Sequence, residues 1–133
     1  MSGCGGGEGE IDPQLFVNDG PLAIAQRYLM PETYWRNKLA TLNADLAQAQ
    51  AHWADLRRTY TGHLAKRREA IHQGEAAARA SGQDPRRARQ KAIAADRKQV
   101  NALRKDCQQA ADQVRKQMQW QKQAQTALMD TLW

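Results

Sequence analysis

The stretch "ASGQDPRRARQ", residues 80–90, is the one interruption in a helix-forming sequence that otherwise runs from about position 32 to position 133. Gly82 takes a left-handed conformation without a Cβ clash and so ends a helix. Asp84 followed by Pro85 is a capping side chain followed by a proline where a new helix has no need of its N–H. Stop and restart fall within four residues, so the chain reverses here, and a short connection between two long amphipathic helices favours antiparallel neighbours.

The flanking sequence supplies the two arms. With Leu39 at heptad position a, the first arm places Leu39, Leu46, Trp53, Tyr60 and Arg67 at a, and Trp35, Leu42, Ala49, Leu56, His63 and Ala70 at d. The second arm places Ile93, Val100, Cys107, Val114, Gln121 and Leu128 at a, and Asp96, Leu103, Ala110, Gln117, Ala124 and Thr131 at d. Leu64, Ile71, Met118 and Leu132 widen the stripe. If the arms are antiparallel, facing positions add to a constant. A constant of 163 pairs Leu39 with Ala124, Trp53 with Ala110, Tyr60 with Leu103, Leu56 with Cys107, Trp35 with Leu128, and Arg67 with Asp96, so large faces small in several layers. Arg67 and Asp96 then form the only oppositely charged layer and fix the register. The competing arrangement is a parallel dimer in which Pro85 only kinks one long helix.

The expected fold is therefore all-α, a long antiparallel two-helix coiled-coil hairpin with short N-terminal helices packed at its open end. Residues 1–10 hold five glycines and no large apolar anchor and read as a flexible lead. Residues 11–30 carry two helix starts, Asp12-Pro13 and Pro21, with Asn18-Asp19-Gly20 as a stop between them, and read as short capped helices. The first long helix is expected over 31–81, the turn over 82–84 and the second long helix over 85–133. At the open end Phe16, Leu22, Tyr28, Trp35, Trp120, Leu128, Leu132 and Trp133 are expected to form a small aromatic cluster. Trp35, Trp120 and Trp133 there serve as core or as a docking point for a partner.

Composition agrees with a narrow seam. Of 133 residues 41% are hydrophobic, many of them alanine, with one Phe, three Tyr and four Trp, and mean hydropathy is −0.82. Ala, Gln, Lys, Arg, Leu and Glu dominate, the residues that lose least on entering a helix. No run reaches the roughly 20 apolar residues of a membrane span, and no signal peptide is evident, so the expected location is cytoplasmic or virion-internal.

Catalytic chemistry finds little footing. His52, His63 and His72 are spaced by eleven and nine, which puts no two on adjacent turns as a metal site needs. Cys4 and Cys107 lack partner ligands, and no nucleophile–base pair or phosphate loop is present. No enzyme, metal or cofactor is expected.

Charge carries the functional signal. Residues 57–105 hold 14 of the 20 Lys and Arg and four acids, a net +10, while residues 1–56 carry −4 and 106–133 are neutral. Such a helix also serves simply as a solvated face. The functional reading gives Arg79, Arg86, Arg87, Arg89, Lys91, Arg97 and Lys98 to contact with an acidic protein surface or other subunits of an assembly, since guanidinium is suited to bidentate grip of carboxylate or phosphate. No aromatic residues stand at the tip to stack on bases, so nucleic acid enters only as a nonspecific backbone ligand. A third alternative is a self-associating scaffold, a homo-oligomer joined through Leu64, Ile71 and Met118. Membrane insertion is not expected, because the basic half lacks bulky apolar residues.

The layout over residues 32–133, one basic, Ala/Gln/Arg-rich helical hairpin, is similar to the stalk proteins that insert into the ATPase of flagellar and type III secretion systems. Small virion components and scaffolds share it. The capped segment from Ile11 to Met30 departs from the stalk pattern, in which the hairpin starts almost at once. The resemblance, carried by architecture and by no short motif, implies a non-enzymatic structural or adaptor protein that bridges components of an assembly through a basic tip.

Overall fold

A computed structural model describes residues 11–133; the expected glycine-rich lead, with Cys4, lies outside them. Every regular element among the described residues is helical: a 3₁₀ turn at Pro13–Phe16, then α1 (Pro21–Leu29), α2 (Pro31–Ala80), α3 (Pro85–Ala95) and α4 (Arg97–Leu132). α2 packs against α4 in a helical hairpin. No helix among these residues is long and apolar enough to cross a membrane.

The reversal is built as the sequence dictates. Gly82 has φ +76°, and the last turn of α2 closes with Gln83 N–H donating to the Ala78 carbonyl at 2.7 Å and Gly82 N–H to Arg79 at 3.2 Å. That pair of bonds is the Schellman arrangement, which satisfies carbonyls the helix itself leaves orphaned. Ser81 adds its hydroxyl to the Ala77 carbonyl at 3.0 Å. Asp84 then accepts the Arg86 N–H at 3.0 Å and Pro85 occupies the first position of α3.

The expectation of one unbroken second helix over 85–133 is corrected: it is interrupted at Asp96, which adopts φ −115°, ψ 13°. The cause is a polar cluster on the seam. Asp96 turns its carboxylate inward to Arg67 Nε and to His63 Nε2, both at 3.2 Å. Arg67 also donates through Nη2 to the Ile93 carbonyl at 3.2 Å. In a continuous helix that carbonyl would accept the N–H of Arg97, so Arg67 closes the end of α3 from across the hairpin. The layer expected to fix register therefore exists, and it also ends a helix. Arg67 Nε and Asp96 Oδ1 are in ion-pair range but outside hydrogen-bond geometry, and both atoms are buried.

The contacts fall into two compact units. Unit 1, residues 11–50 with Gln113–Trp133, has the real core: Leu15, Tyr34, Trp35, Leu42, Ala124 and Ala127 are buried, with Phe16, Ala23, Leu39, Trp120 and Leu128 packed against them. Tyr34 and Trp35 meet edge to face at 4.9 Å, and Phe16 lies 6.0 Å from Trp35. Leu39 and Ala124 share this cluster, as do Trp35 and Leu128; Gln121 bonds Asn43 at 2.5 Å, a pair one residue off the proposed constant.

The aromatic cluster is smaller than expected. Phe16, Trp35, Trp120 and Leu128 belong to it, whereas Leu22, Tyr28, Leu132 and Trp133 are exposed. The orientation of α1 explains part of this, because it turns Ala23 to the core and lays the Arg27 guanidinium 3.7 Å above the Phe16 ring.

Unit 2, Ala51–Asp112, is thin. Only Ala78, Val100 and Ala110 are buried in it. Trp53, Leu56, Tyr60, Leu103 and Cys107 are half-buried, the limit of what one helix facing one helix can cover.

Candidate functional site

The turn and the two helix starts after it present the basic set. Arg79, Arg86, Arg87, Arg89, Lys91, Arg97 and Lys98 are all exposed. Arg79 leans on Glu75 at 3.5 Å, one turn back on α2. Among the described residues no ion pair reaches the other six.

Helix periodicity splits the α3 group in two. Arg87 and Lys91, four apart, share a flank and rim a groove of about 760 Å³ floored by Ala88, Ala92 and Ala95, with Asp84 at its end. Arg86 and Arg89, three apart, lie on the opposite flank of the half-buried stripe formed by Ala88 and Ala92.

Position along the helix matters as much. Arg86 and Arg87 lie in the first turn of α3, with Arg89 following in the second; the backbone of the first turn carries partial positive charge, and that turn holds no acidic residue beyond the N-cap Asp84. Cations there cost roughly 0.3–1 kcal/mol apiece at exposed sites. The first turn of α4 repeats the choice with Arg97 and Lys98 and again no acid. Basic residues therefore stand in the first turns of two successive helices, against the usual preference.

The other anticipated residues divide clearly. Of the seam, Leu46, Ala110 and Val114 are buried, while Leu39, Trp53, Leu56, Tyr60, Arg67, Asp96 and Leu103 are half-buried. Tyr60 Oη receives Arg104 Nε–H at 3.4 Å. His63 faces Asp96, and among the described residues no group of three His, Cys, Asp or Glu side chains is placed to hold a metal ion. At the base, Trp35 is core, and Trp120 donates its indole N–H to Asp12 Oδ2 at 2.9 Å. Trp133, expected to help cover the open end, is 95% exposed and belongs to no core.

Two polar groups of unit 1 escaped the sequence reading. Tyr34 Oη donates to Asp19 Oδ2 at 2.5 Å, and Lys38 Nζ donates to Asp19 Oδ1 at 2.6 Å and to the Leu15 carbonyl at 2.8 Å. Burial pushes the Asp19 carboxyl up, but the hydrogen bonds from Lys38 and Tyr34, with the charges of Lys38 and Arg27, outweigh it and hold the group below its ordinary value. Burial, reinforced by Asp19, raises the Tyr34 phenol well above its ordinary value. Asp12, besides capping the 3₁₀ turn, is held low first by the Trp120 indole and then by the Gln14 N–H. Its own N–H donates to Gln123 at 2.9 Å, so the N-terminal segment is tied to α4 through one residue. The available signal was the adjacent pair Tyr34-Trp35, since two neighbouring aromatic residues cannot both face a two-helix seam.

Comparison with protein-family models, with curated proteins and with solved structures finds no match to the chain.

Proposed function

We propose that the protein is a non-enzymatic adaptor, a helical hairpin that joins components of a larger assembly by setting its basic tip against an acidic protein surface. One observation carries this reading: six exposed cationic side chains on two successive helices form no ion pair among the described residues, and four of them, Arg86, Arg87, Arg97 and Lys98, stand in first turns where the helix dipole disfavours them. An acidic surface supplies the missing charge, and arginine supplies a planar fork that matches carboxylates. Alanines flooring the groove beside Arg87 and Lys91 let a partner's backbone come close. The part such a hairpin plays is that of a secretion-apparatus stalk or a virion scaffold component.

The test is a triple variant, Arg86→Ala with Arg87→Ala and Arg89→Ala, used beside the wild type in pull-downs from the native source. Its circular dichroism should match the wild type, and it should lose the captured partner. Equal capture by both proteins would defeat the reading. A mobility shift with any duplex, falling steeply with salt near physiological strength, would transfer the tip to a nonspecific nucleic-acid accessory role.

A further inference from the structure

α1 is amphipathic in the wrong sense for a helix that only covers a core. Ala23 packs inward, with Arg27, stacked on Phe16, on one side of it and the half-buried Gln26 on the other. At 100° per residue the other side of the helix, an arc of roughly 160°, is formed by Ile24, Tyr28, Ala25, Leu29 and Leu22. Those side chains are not covered: Leu22 is 75% exposed, Ile24 50%, Tyr28 74% and Leu29 79%. A surface helix normally turns its apolar stripe to the core and its polar residues to water. Here Gln26 and Arg27, the only polar members of PLAIAQRYL apart from the tyrosine hydroxyl, face the body instead.

The patch continues past the helix. Met30 is 54% exposed. Together these side chains expose on the order of 600–700 Å², above the few hundred Å² of contiguous apolar surface a monomer usually shows.

We infer that this surface is the seat of a second copy of the chain, with α1 pairing antiparallel to α1 about a two-fold axis near Ala25. Covering most of this surface on both copies removes roughly 1,200 Å², the lower end of specific interfaces. The arc carries no charged residue, so a second chain of net charge +6 meets no like charge there, and a strongly charged partner would find nothing to pair with. An isologous contact needs a self-complementary face. Centred on Ala25, the small residue of each helix meets its own counterpart, and Leu22 of each copy faces Tyr28 of the other. A membrane surface fits less well. α1 has nine residues, and its single base, Arg27, is turned inward, whereas an interfacial helix carries a basic rim. This surface lies in unit 1 and is independent of the tip reading.

Sedimentation of the full chain from micromolar to millimolar concentration should show a reversible dimer. Leu22→Asp with Leu29→Asp should weaken it by roughly a hundredfold or more, two buried anchors being lost, with unchanged helicity. Met118→Asp, on α4, should leave it intact. A second route does not depend on the acidic variant folding: Ala25→Cys, in a Cys4→Ser and Cys107→Ala background, should form an intermolecular disulfide under mild oxidation. A wild type that stays monomeric throughout, a dimer indifferent to the Leu22 and Leu29 changes, or binding of monomer to phosphatidylcholine–phosphatidylglycerol vesicles would each overturn the inference.

Discussion

Unit 1 and unit 2 use the same two helices differently. In unit 1 the 3₁₀ turn and α1 add a third layer, and five large side chains, Leu15, Tyr34, Trp35, Leu42 and Leu46, are buried to 9% exposure or less. In unit 2 two helices face each other alone, and Val100 is the only buried side chain larger than alanine. Each unit compensates in kind. Unit 1 affords a buried carboxylate because Tyr34 and Lys38 satisfy it. Unit 2, short of apolar area, sets its register with the half-buried group Arg67, Asp96 and His63. The lesson is that a coiled-coil pattern specifies which residues face the seam, while the number of layers decides how far they are buried.

The comparison is most exposed at Trp35. Trp35→Ala should cost about 3–5 kcal/mol, the range for removing a buried aromatic, measured by urea denaturation followed by circular dichroism. A loss below about 1 kcal/mol would mean that the aromatic cluster is not what holds unit 1 together.

Next in size is Asp96→Ala, which strands the Arg67 guanidinium and should cost about 1–3 kcal/mol. The pair is about one-fifth exposed, so the loss falls short of that for a fully buried pair. Alanine is also the better helix former, and the break between α3 and α4 should heal. Slower hydrogen exchange at the amides of residues 96–100 would register that repair, and unchanged exchange would mean that Asp96 does not cause the break.

The smallest expected effect is on acid stability. Asp19 has its carboxyl depressed in the folded state, so its contribution is fully present above the ordinary carboxylate value of about 3.9 and is lost as pH falls through the lower folded value. The urea midpoint should therefore fall more steeply below about pH 4 in the wild type than in Asp19→Asn. Parallel curves would remove Asp19 from the account of unit 1.

Legibility in the sequence followed the same division. The turn was readable to the residue, because Gly82, Asp84 and Pro85 each have one favoured position at a helix end. The Arg67–Asp96 layer was readable from pairing arithmetic. The break at Asp96 was not, since heptad pattern says nothing about which carbonyl a long side chain will cap. Tyr34 was missed because it lies outside the seam and is buried only by the N-terminal segment folding over it. Leu22 and Tyr28 share one face of α1 by periodicity, but periodicity does not say whether that face turns to the body or to solvent, and it turns to solvent; Trp133 was assigned on hydrophobicity alone. The basic set was visible as a count of charges; its place on the wrong ends of two helices became clear only with the helix boundaries.

The break at Asp96 has a mechanical side. It leaves α3 an eleven-residue helix with no buried residue, bounded by the Schellman turn at one end and the Arg67 cap at the other. So short a helix is marginal by itself, and its amides should open at a free energy well below that of global unfolding. The segment bearing Arg86, Arg87 and Arg89 can therefore unwind and re-form without melting α4, like a hinged fingertip on a fixed bone.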